Sequence, residues 1–379
     1  MSEAEVRDES RMPFSRRALI RLGMWASAAG ALLTGARAAL ACPECGSVKQ
    51  AGNFEPPRDL ATRAQLTTGT FGASGVRPRP SENIPSFPAR FLTDFYTGEV
   101  SRLANGQTLR EYHLTAFDRT IEVAPSVEFP AWCLAAGENA SADDAWVPGP
   151  TIRCTEGDRV RIHFHNRGSM PHTLHFHGVH PAEMDGVDPV VKPDETFTYE
   201  FDAEPFGLML YHCHVMPLRK HIHRGLYGTF LIDPKTPRPP AKELVMVMNG
   251  FDVNFDGENE FYTVNGYANY YYFYPIRLRV NEKVRVYLVN LTEFDLINSM
   301  HIHANMFHLY RTGTKLVPDD YTDTVMLCQG ERCILEFSYK FPGLYMFHAH
   351  QSEFAELGWM GFFDVVDEPV ASTSAEDPA

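Results

Sequence analysis

Between residues 108 and 235, apolar and polar side chains alternate in short runs broken by turn residues. The stretch Thr151–Phe164 shows the pattern: Ile152, Val160, Ile162 and Phe164 share one parity, and Gly157-Asp158 interrupts them as a turn. A period of two belongs to strands with one buried face, and many short strands with turns between them belong to a β-sandwich. Residues 243–367 repeat the layout after Pro234–Pro240, which reads as a linker by composition. Residues 42–105 are rich in Pro, Gly, Arg and Ser with weak periodicity, and read as an extended arm over the first sandwich. The expected organisation is an all-β chain: a leader at 1–41, the arm at 42–105, sandwiches at 106–236 and 237–368, and a tail at 369–379.

The repeat extends to motifs. Gly157-Asp158-Arg159-Val160-Arg161-Ile162-His163-Phe164-His165-Asn166 is followed by His175-Phe176-His177 and later by Tyr211-His212-Cys213-His214. Glu282-Lys283-Val284-Arg285-Val286-Tyr287-Leu288-Val289-Asn290 is followed by His301-Ile302-His303 and later by His348-Ala349-His350. The same order recurs with similar spacing, so two copies of one sandwich is the economical reading.

Composition sharpens this picture at three points. The 27 Gly and 27 Pro favour turn-rich architecture over long helices. A net charge of −14 argues against a nucleic-acid partner, which selects Lys/Arg surfaces. At the N-terminus, Ser15-Arg16-Arg17 precedes the uncharged run Leu22–Ala36 and the small-x-small site Ala39-Leu40-Ala41. That is a signal segment of twin-arginine type, too short for a membrane span, and it predicts a periplasmic or otherwise extracytoplasmic protein. Without residues 1–41 the chain carries 28 basic and 44 acidic residues, a charge of −16. No second apolar segment is long enough to span a bilayer. An oxidising compartment leaves room for disulfides: Cys328 with Cys333 across a hairpin, and Cys133 with Cys154. Cys42 and Cys45 are open to a disulfide or a metal contact, and Ala39 is a poor match to a lipidation signal at Cys42.

The 16 His residues are clustered. In a strand, His-x-His puts two imidazoles on one face, roughly 6.6 Å apart at Cα. Neutral imidazole is a favoured ligand of copper, zinc and iron. One pair is weak evidence; four pairs at matched places in two repeats are strong. In His212-Cys213-His214 the pair faces one side and Cys213 the other. His172 has the opposite parity to His175 and His177, so it can share the Cys213 face, and His221 can return to that side. His172, Cys213 and His221 form the His₂Cys ligand set of blue-copper electron-transfer sites. Leu226 falls where a weak axial Met would sit, with Met216 as an alternative axial residue that suits loop packing better.

Pro148-Gly149-Pro150-Thr151-Ile152-Arg153 with Gly157-Asp158, His172-Thr173-Leu174-His175-Phe176-His177-Gly178, and His212-Cys213-His214 with His221, Gly225 and Leu226 resemble the motifs of multicopper oxidases. The resemblance covers about residues 108–367 and is nearest to the two-domain, laccase-like subgroup. It implies two tandem cupredoxin-like Greek-key β-sandwich domains. It implies four coppers per chain: one type 1, one type 2 and two type 3. Electrons would pass from a phenol, an aromatic amine or a metal ion to dioxygen, giving water. By resemblance His175 and His301 are type 2 ligands, and His177, His212, His214, His303, His348 and His350 are type 3 ligands. In the second repeat Asn298, Ala349 and Phe354 stand where type 1 ligands would be, so the resemblance implies one type 1 site, in domain 1. It also implies a homotrimer with clusters completed between subunits, and proton-relaying roles for Glu353 and Asp185. For Asp185 a turn role weighs equally.

Other histidines read as bland. His163 and His165 are expected on the face opposite the core, His113 as structural, His180 and His308 near ligands, and His223 at a substrate edge. The aromatic run 270–274 reads as sheet surface or interface. Two further function classes stay open. A copper nitrite reductase shares the plan but uses a single type 2 copper and does not require four His pairs. A copper-storage or electron-transfer protein would explain Cys213 but not the pairs.

Overall fold

The alternating runs fold as strands. The computed structural model describes residues 85–368; the expected leader, Cys42, Cys45, most of the arm and the tail lie outside the described residues. The first sandwich contains β1 (Glu99–Arg102), β2 (Thr108–Ala124), β3 (Val127–Ala136), β4 (Gly149–Thr155), β5 (Arg159–Asn166), β6 (His175–Phe176), β7 (Thr196–Asp202), β8 (Gly207–His212) and β9 (Tyr227–Asp233). One sheet runs β1-β2-β5-β7 with β3 on β2, and the other runs β4-β9-β8-β6. The second sandwich contains β10 (Lys242–Phe251), β11 (Phe261–Val264), β12 (Ile276–Arg279), β13 (Val284–Asn290), β14 (Ile297–Ile302), β15 (Phe307–Arg311), β16 (Asp320–Thr322), β17 (Thr324–Cys328), β18 (Arg332–Phe337), β19 (Gly343–His348) and β20 (Met360–Val366). Its sheets run β11-β10-β13-β18-β15-β16 and β12-β20-β19-β14-β17. Among the described residues four short α-helices interrupt the strands: α1 (Phe87–Phe91), α2 (Leu218–His223), α3 (Tyr270–Phe273) and α4 (Ser352–Glu356). Among the described residues no helix is long and apolar enough to cross a membrane.

Ile152, Val160, Ile162 and Phe164 all point into the first core, as their shared parity requires. In β10, Leu244, Met246 and Met248 fill the second core, while Val245 and Val247 fill a third cluster with Phe129, Ala131, Leu208 and Leu210 of the first sandwich. β13 does the same, with Val286 and Leu288 on one side and Tyr287 and Val289 on the other. A strand buried on both faces reads as a continuous apolar run, which is why Leu244–Met248 does not alternate.

An ionic chain crosses the same seam. Arg153 binds Asp233 of its own domain and Glu243 of the second at 2.7 Å each, and Glu243 meets Arg285 at 3.1 Å. Arg285 continues to Glu336 at 2.7 Å, with both side chains buried. Such charges are tolerable inside because each is paired and hydrogen-bonded.

Four sequence expectations are corrected. The end of the arm does not lie over the first sandwich alone: Tyr96 bridges to Ile152 of the first domain, whereas Leu92 packs in the second core and the Pro88 carbonyl accepts the Tyr271 hydroxyl at 2.7 Å. Tyr270, Tyr271 and Tyr272 are buried on α3, so these three are neither sheet surface nor an exposed interface, while Tyr274 at the end of the run is exposed. Cys328 and Cys333 are both free, because β17 and β18 belong to opposite sheets and not to one hairpin; Cys328 is exposed and Cys333 lies in the second core. Cys133 and Cys154 are free too, one facing the seam and the other the first core.

Gly266 shows how tightly the seam closes. Its φ of +85° suits glycine, and a Cβ there would run into the Val147 carbonyl of the first domain. Gly266→Ala is expected to destabilise the protein by roughly 1–3 kcal/mol, as overpacking does; an unchanged urea midpoint would contradict this account of the seam.

Candidate metal centres

His172 lies in the loop before β6, Cys213 directly follows β8, and His221 sits on α2. All three are buried. The two Nδ1 atoms are 3.2 Å apart, and Cys213 Sγ lies 3.2 Å from His221 Nδ1 and 3.9 Å from His172 Nδ1. Burial, then the neighbouring His221, lowers the His172 pKa to about 3; burial, then Lys220, lowers His221 to about 4. Both rings are therefore neutral at ordinary pH, as ligation requires. Burial pushes the Cys213 thiol up, against hydrogen bonds from Thr173 and its neighbours. His172 Nε2 is buried without a hydrogen-bond partner, which leaves Nδ1 turned toward the thiol. Three convergent donor atoms, two imidazole and one sulfur, fit one copper ion. Leu226 is fully buried beside them, its carbonyl accepting the Cys213 amide at 2.9 Å. Met216 is 76% exposed, which removes it as an axial residue.

A second group forms on the other face of the same strand end. β6 and β8 pair antiparallel with His175 opposite His212, and the His177 and His212 Nε2 atoms are 3.3 Å apart. His175 and His214 rings lie 5.4 Å apart, so the four imidazoles form one quartet. The second domain repeats this: β14 pairs with β19, His301 opposes His348, and the His303 and His348 Nε2 atoms are 3.1 Å apart. His301 and His350 rings are again 5.4 Å apart.

The far nitrogens are already occupied. Nδ1 of His175 donates to the Asp185 carbonyl at 2.7 Å, His212 to Cys213 at 3.0 Å, His301 to Asp323 at 3.0 Å and His348 to Ala349 at 2.6 Å. These bonds fix the tautomer that leaves the Nε2 lone pair for a metal. Burial, then neighbouring His and Arg332, lowers His177 to about 3; burial lowers His212 to about 4 and lowers His303 and His348 as well. Among the described residues no hydrogen bond or ring contact joins the two quartets, and His303 and His350 are exposed.

In the second domain the place of a His₂Cys trio is filled by packing. Asn298 is buried and bonds Thr292 at 3.0 Å, Ala349 lies in the core, and Phe354 stacks on Tyr262 with centroids 3.9 Å apart.

The remaining candidates are distributed as follows. Asp185 belongs to the site twice: its carbonyl binds His175, and its carboxylate lies 3.3 Å from the same Nδ1. Glu353 is exposed on the first turn of α4, and no hydrogen bond links it to the quartet. His180 stands 6.2 Å from His175, ring to ring. His308 packs on Tyr321, ring centroids 4.8 Å apart. His163 and His113 stack at 4.7 Å on the outer face of the β2–β5 pair. His223 is not at a substrate edge: it is buried among Phe129, Phe255 and Phe294 and accepts the Asp252 amide at 3.1 Å.

Sequence reasoning missed two neighbours. Trp132 packs on both His172 and His221. Arg332 reaches from the second domain to the Leu208 carbonyl at 3.0 Å and to His177 Nδ1 at 3.5 Å. Neither residue belongs to a motif; only sheet pairing brings them there.

The depressed imidazoles carry a pH dependence. Free histidine titrates near pH ~6.5, so below that value the unfolded chain binds protons that the folded chain refuses. The stability from these buried neutral rings is complete above about pH 6.5 and is lost as pH falls toward the folded values near 4 and 3. The metal-free protein should therefore show a falling thermal midpoint across that window; a flat midpoint would contradict it.

Profiles described as "Multicopper oxidase" match residues 138–237 and 237–369. A solved structure described as a multicopper oxidase is 50% identical with a TM-score of 0.70, covering 74% of this chain and 96% of that one. A blue copper oxidase structure from Nitrosomonas europaea is 27% identical with a TM-score of 0.58, covering 68% of this chain and 86% of its own. The copper-containing nitrite reductase of Neisseria meningitidis serogroup A is 28% identical over 259 residues, 62% of this chain and 63% of that protein. Copper resistance protein A of Escherichia coli is 32% identical over 149 residues, 37% of this chain and 23% of that one. The chain thus spans a little under two thirds of the nitrite reductase's length. With both domains matched, the chain belongs to the multicopper oxidase family.

Proposed function

We propose that this protein is a laccase-like oxidase that takes single electrons from a small donor, a phenol, an aromatic amine or a metal ion, and reduces dioxygen to water. The observation that carries the reading is the pair of His quartets, each with two Nε2 atoms within 3.3 Å of each other and two Nδ1 atoms bound to carbonyls. Four coppers per chain would supply electron relay and oxygen binding, the trio holding one and the quartets three. The residues do the rest. Cys213 is covalently adjacent to His212 and His214, and the His212 Nδ1 bond to the Cys213 carbonyl adds a second connection between trio and quartet. Asp185 orients His175 and holds a carboxylate where a proton can be passed on.

Each quartet is half of a cluster, so a second copy of the chain completes it. A head-to-tail homotrimer sets the first-domain quartet of one subunit against the second-domain quartet of the next, a closed ring. Val179, two residues past His177, and Met306, three past His303, are exposed. We read the twin-arginine-type leader as directing the folded protein to the periplasm.

The nitrite reductase similarity favours a second reading, reduction of nitrite at a single type 2 copper. His214 and the complete second-domain quartet weigh against it, because one such copper leaves most of those imidazoles without a role.

Copper content with an absorption spectrum separates the readings. Four coppers per chain with a blue band and a near-ultraviolet band are expected; two coppers with nitrite turnover would overturn the oxidase. Glu353→Gln and Asp185→Asn should slow oxygen reduction while leaving the blue band, and unchanged turnover removes the residue from the proton path. Leu226→Met should lower the reduction potential, since a thioether then replaces an apolar axial neighbour; a redox titration showing no fall would reject that assignment. Light scattering should give a trimer, and a fully active monomer would refute shared clusters.

A further inference from the structure

A charge from the second domain stands against the first-domain quartet. In β18, Cys333 and Leu335 turn into the second core and Ile334 into the seam, so Arg332 shares the seam face with Ile334. Its Nε donates to the Leu208 carbonyl of β8 at 3.0 Å, and the Leu208 amide donates to the Thr312 carbonyl at 2.7 Å. Both backbone groups of Leu208 are thus tied to the second domain. Two residues on, the Leu210 carbonyl accepts the His177 amide at 2.9 Å. The guanidinium therefore meets the strand that leads to His212 and the ring of His177 together. Its Nη1 lies 3.5 Å from His177 Nδ1 and 3.4 Å from the Gly330 carbonyl, and its Nη2 lies 3.2 Å from Met209 Sδ. Among the described residues no carboxylate pairs with it: Glu331, beside it in the chain, pairs with Arg311 at 3.1 Å. Arginine keeps its charge at any ordinary pH, and a half-buried cation without an ion pair is costly to hold.

We propose that Arg332 is a positioning residue of the first-domain quartet, whose charge against His177 favours the reduced state of the metal held there. This rests on the oxidase reading above. The two rings whose Nε2 atoms stand 3.3 Å apart differ on their far sides. His212 Nδ1 donates to the Cys213 carbonyl at 3.0 Å, a bond that makes the ring a stronger electron donor to a metal. His177 Nδ1 faces a cation with no lone pair to offer, at a distance where the contact is electrostatic more than a hydrogen bond. The cation withdraws electron density where the carbonyl adds it. Repulsion from a fixed positive charge grows with the charge of the metal, so it opposes divalent copper more than monovalent copper. Partial burial leaves that repulsion less screened than it would be at the surface. The quartet is thereby electronically lopsided, with His177 on the side that takes an electron more readily. The charge belongs to the second domain, so it is in place only when the seam is closed.

The test is an anaerobic redox titration of the copper-loaded full-length protein and its Arg332→Lys, Arg332→Gln and Arg332→Met variants. Two midpoints are read, that of the blue band for the trio and that of the near-ultraviolet band for the quartets. Arg332→Gln, which keeps a donor for the Leu208 carbonyl, and Arg332→Met, which does not, should both lower the near-ultraviolet midpoint. Arg332→Lys keeps the charge and should hold that midpoint close to wild type. The blue-band midpoint should stay in place in all three. An unchanged near-ultraviolet midpoint in the neutral variants would overturn the proposal. An equal fall in Arg332→Lys would overturn it too, by making shape and not charge the cause. Joint movement of both bands, or loss of copper from every variant, would make Arg332 a packing residue of the seam and overturn it as well. A wild type that binds two coppers and shows no near-ultraviolet band overturns the oxidase reading itself, which separates the two failures.

Discussion

The pleat of one strand end carries the arrangement. At His212-Cys213-His214, successive side chains leave the backbone on opposite faces, so a thiol enters the first core while two imidazoles face outward. Antiparallel pairing with β6 then sets His175 opposite His212, and α2 brings His221 back over the thiol. A one-residue slip would exchange the faces and separate the thiol and each imidazole from their neighbours. Register is therefore the quantity that the cores protect, and Phe176 and Tyr211, paired across those strands and fully buried, hold it.

The second domain shows what happens when one face of that pattern is changed. Its quartet keeps the geometry of the first, yet Asn298, Ala349 and Phe354 replace the trio. A hydrogen bond to Thr292 and a stacked Tyr262 fill the volume. The two faces of the strand end are separable: one can be converted to ordinary core while the other keeps its metal-directed histidines.

Much of this was legible in the sequence, for stated reasons. Parity places His172 with Cys213 and separates both from the pairs, and the structure brings those atoms to within 3.9 Å. The doubled motif order announces two sandwiches. What was not legible depends on which sheet a strand joins. Cys328 and Cys333 look like hairpin neighbours until β17 and β18 fall in different sheets. Trp132 looks like one more apolar strand residue until β3 presents it to the trio. Tyr270–Tyr272 look like a surface run, because a short helix buried against strands has no period to reveal it.

The Pro-rich stretch between the domains looks like a hinge, but the seam beside it is a third core. Val245 and Val247 of β10 are walled by side chains of the first domain, and Arg153 needs Glu243 across the junction. Cutting the chain at residues 234–240 would not release two independent domains. It would bare an apolar sheet face on each half, so each half would aggregate or seek the other. The length of chain that evolution or an engineer can move as one piece is therefore both sandwiches together.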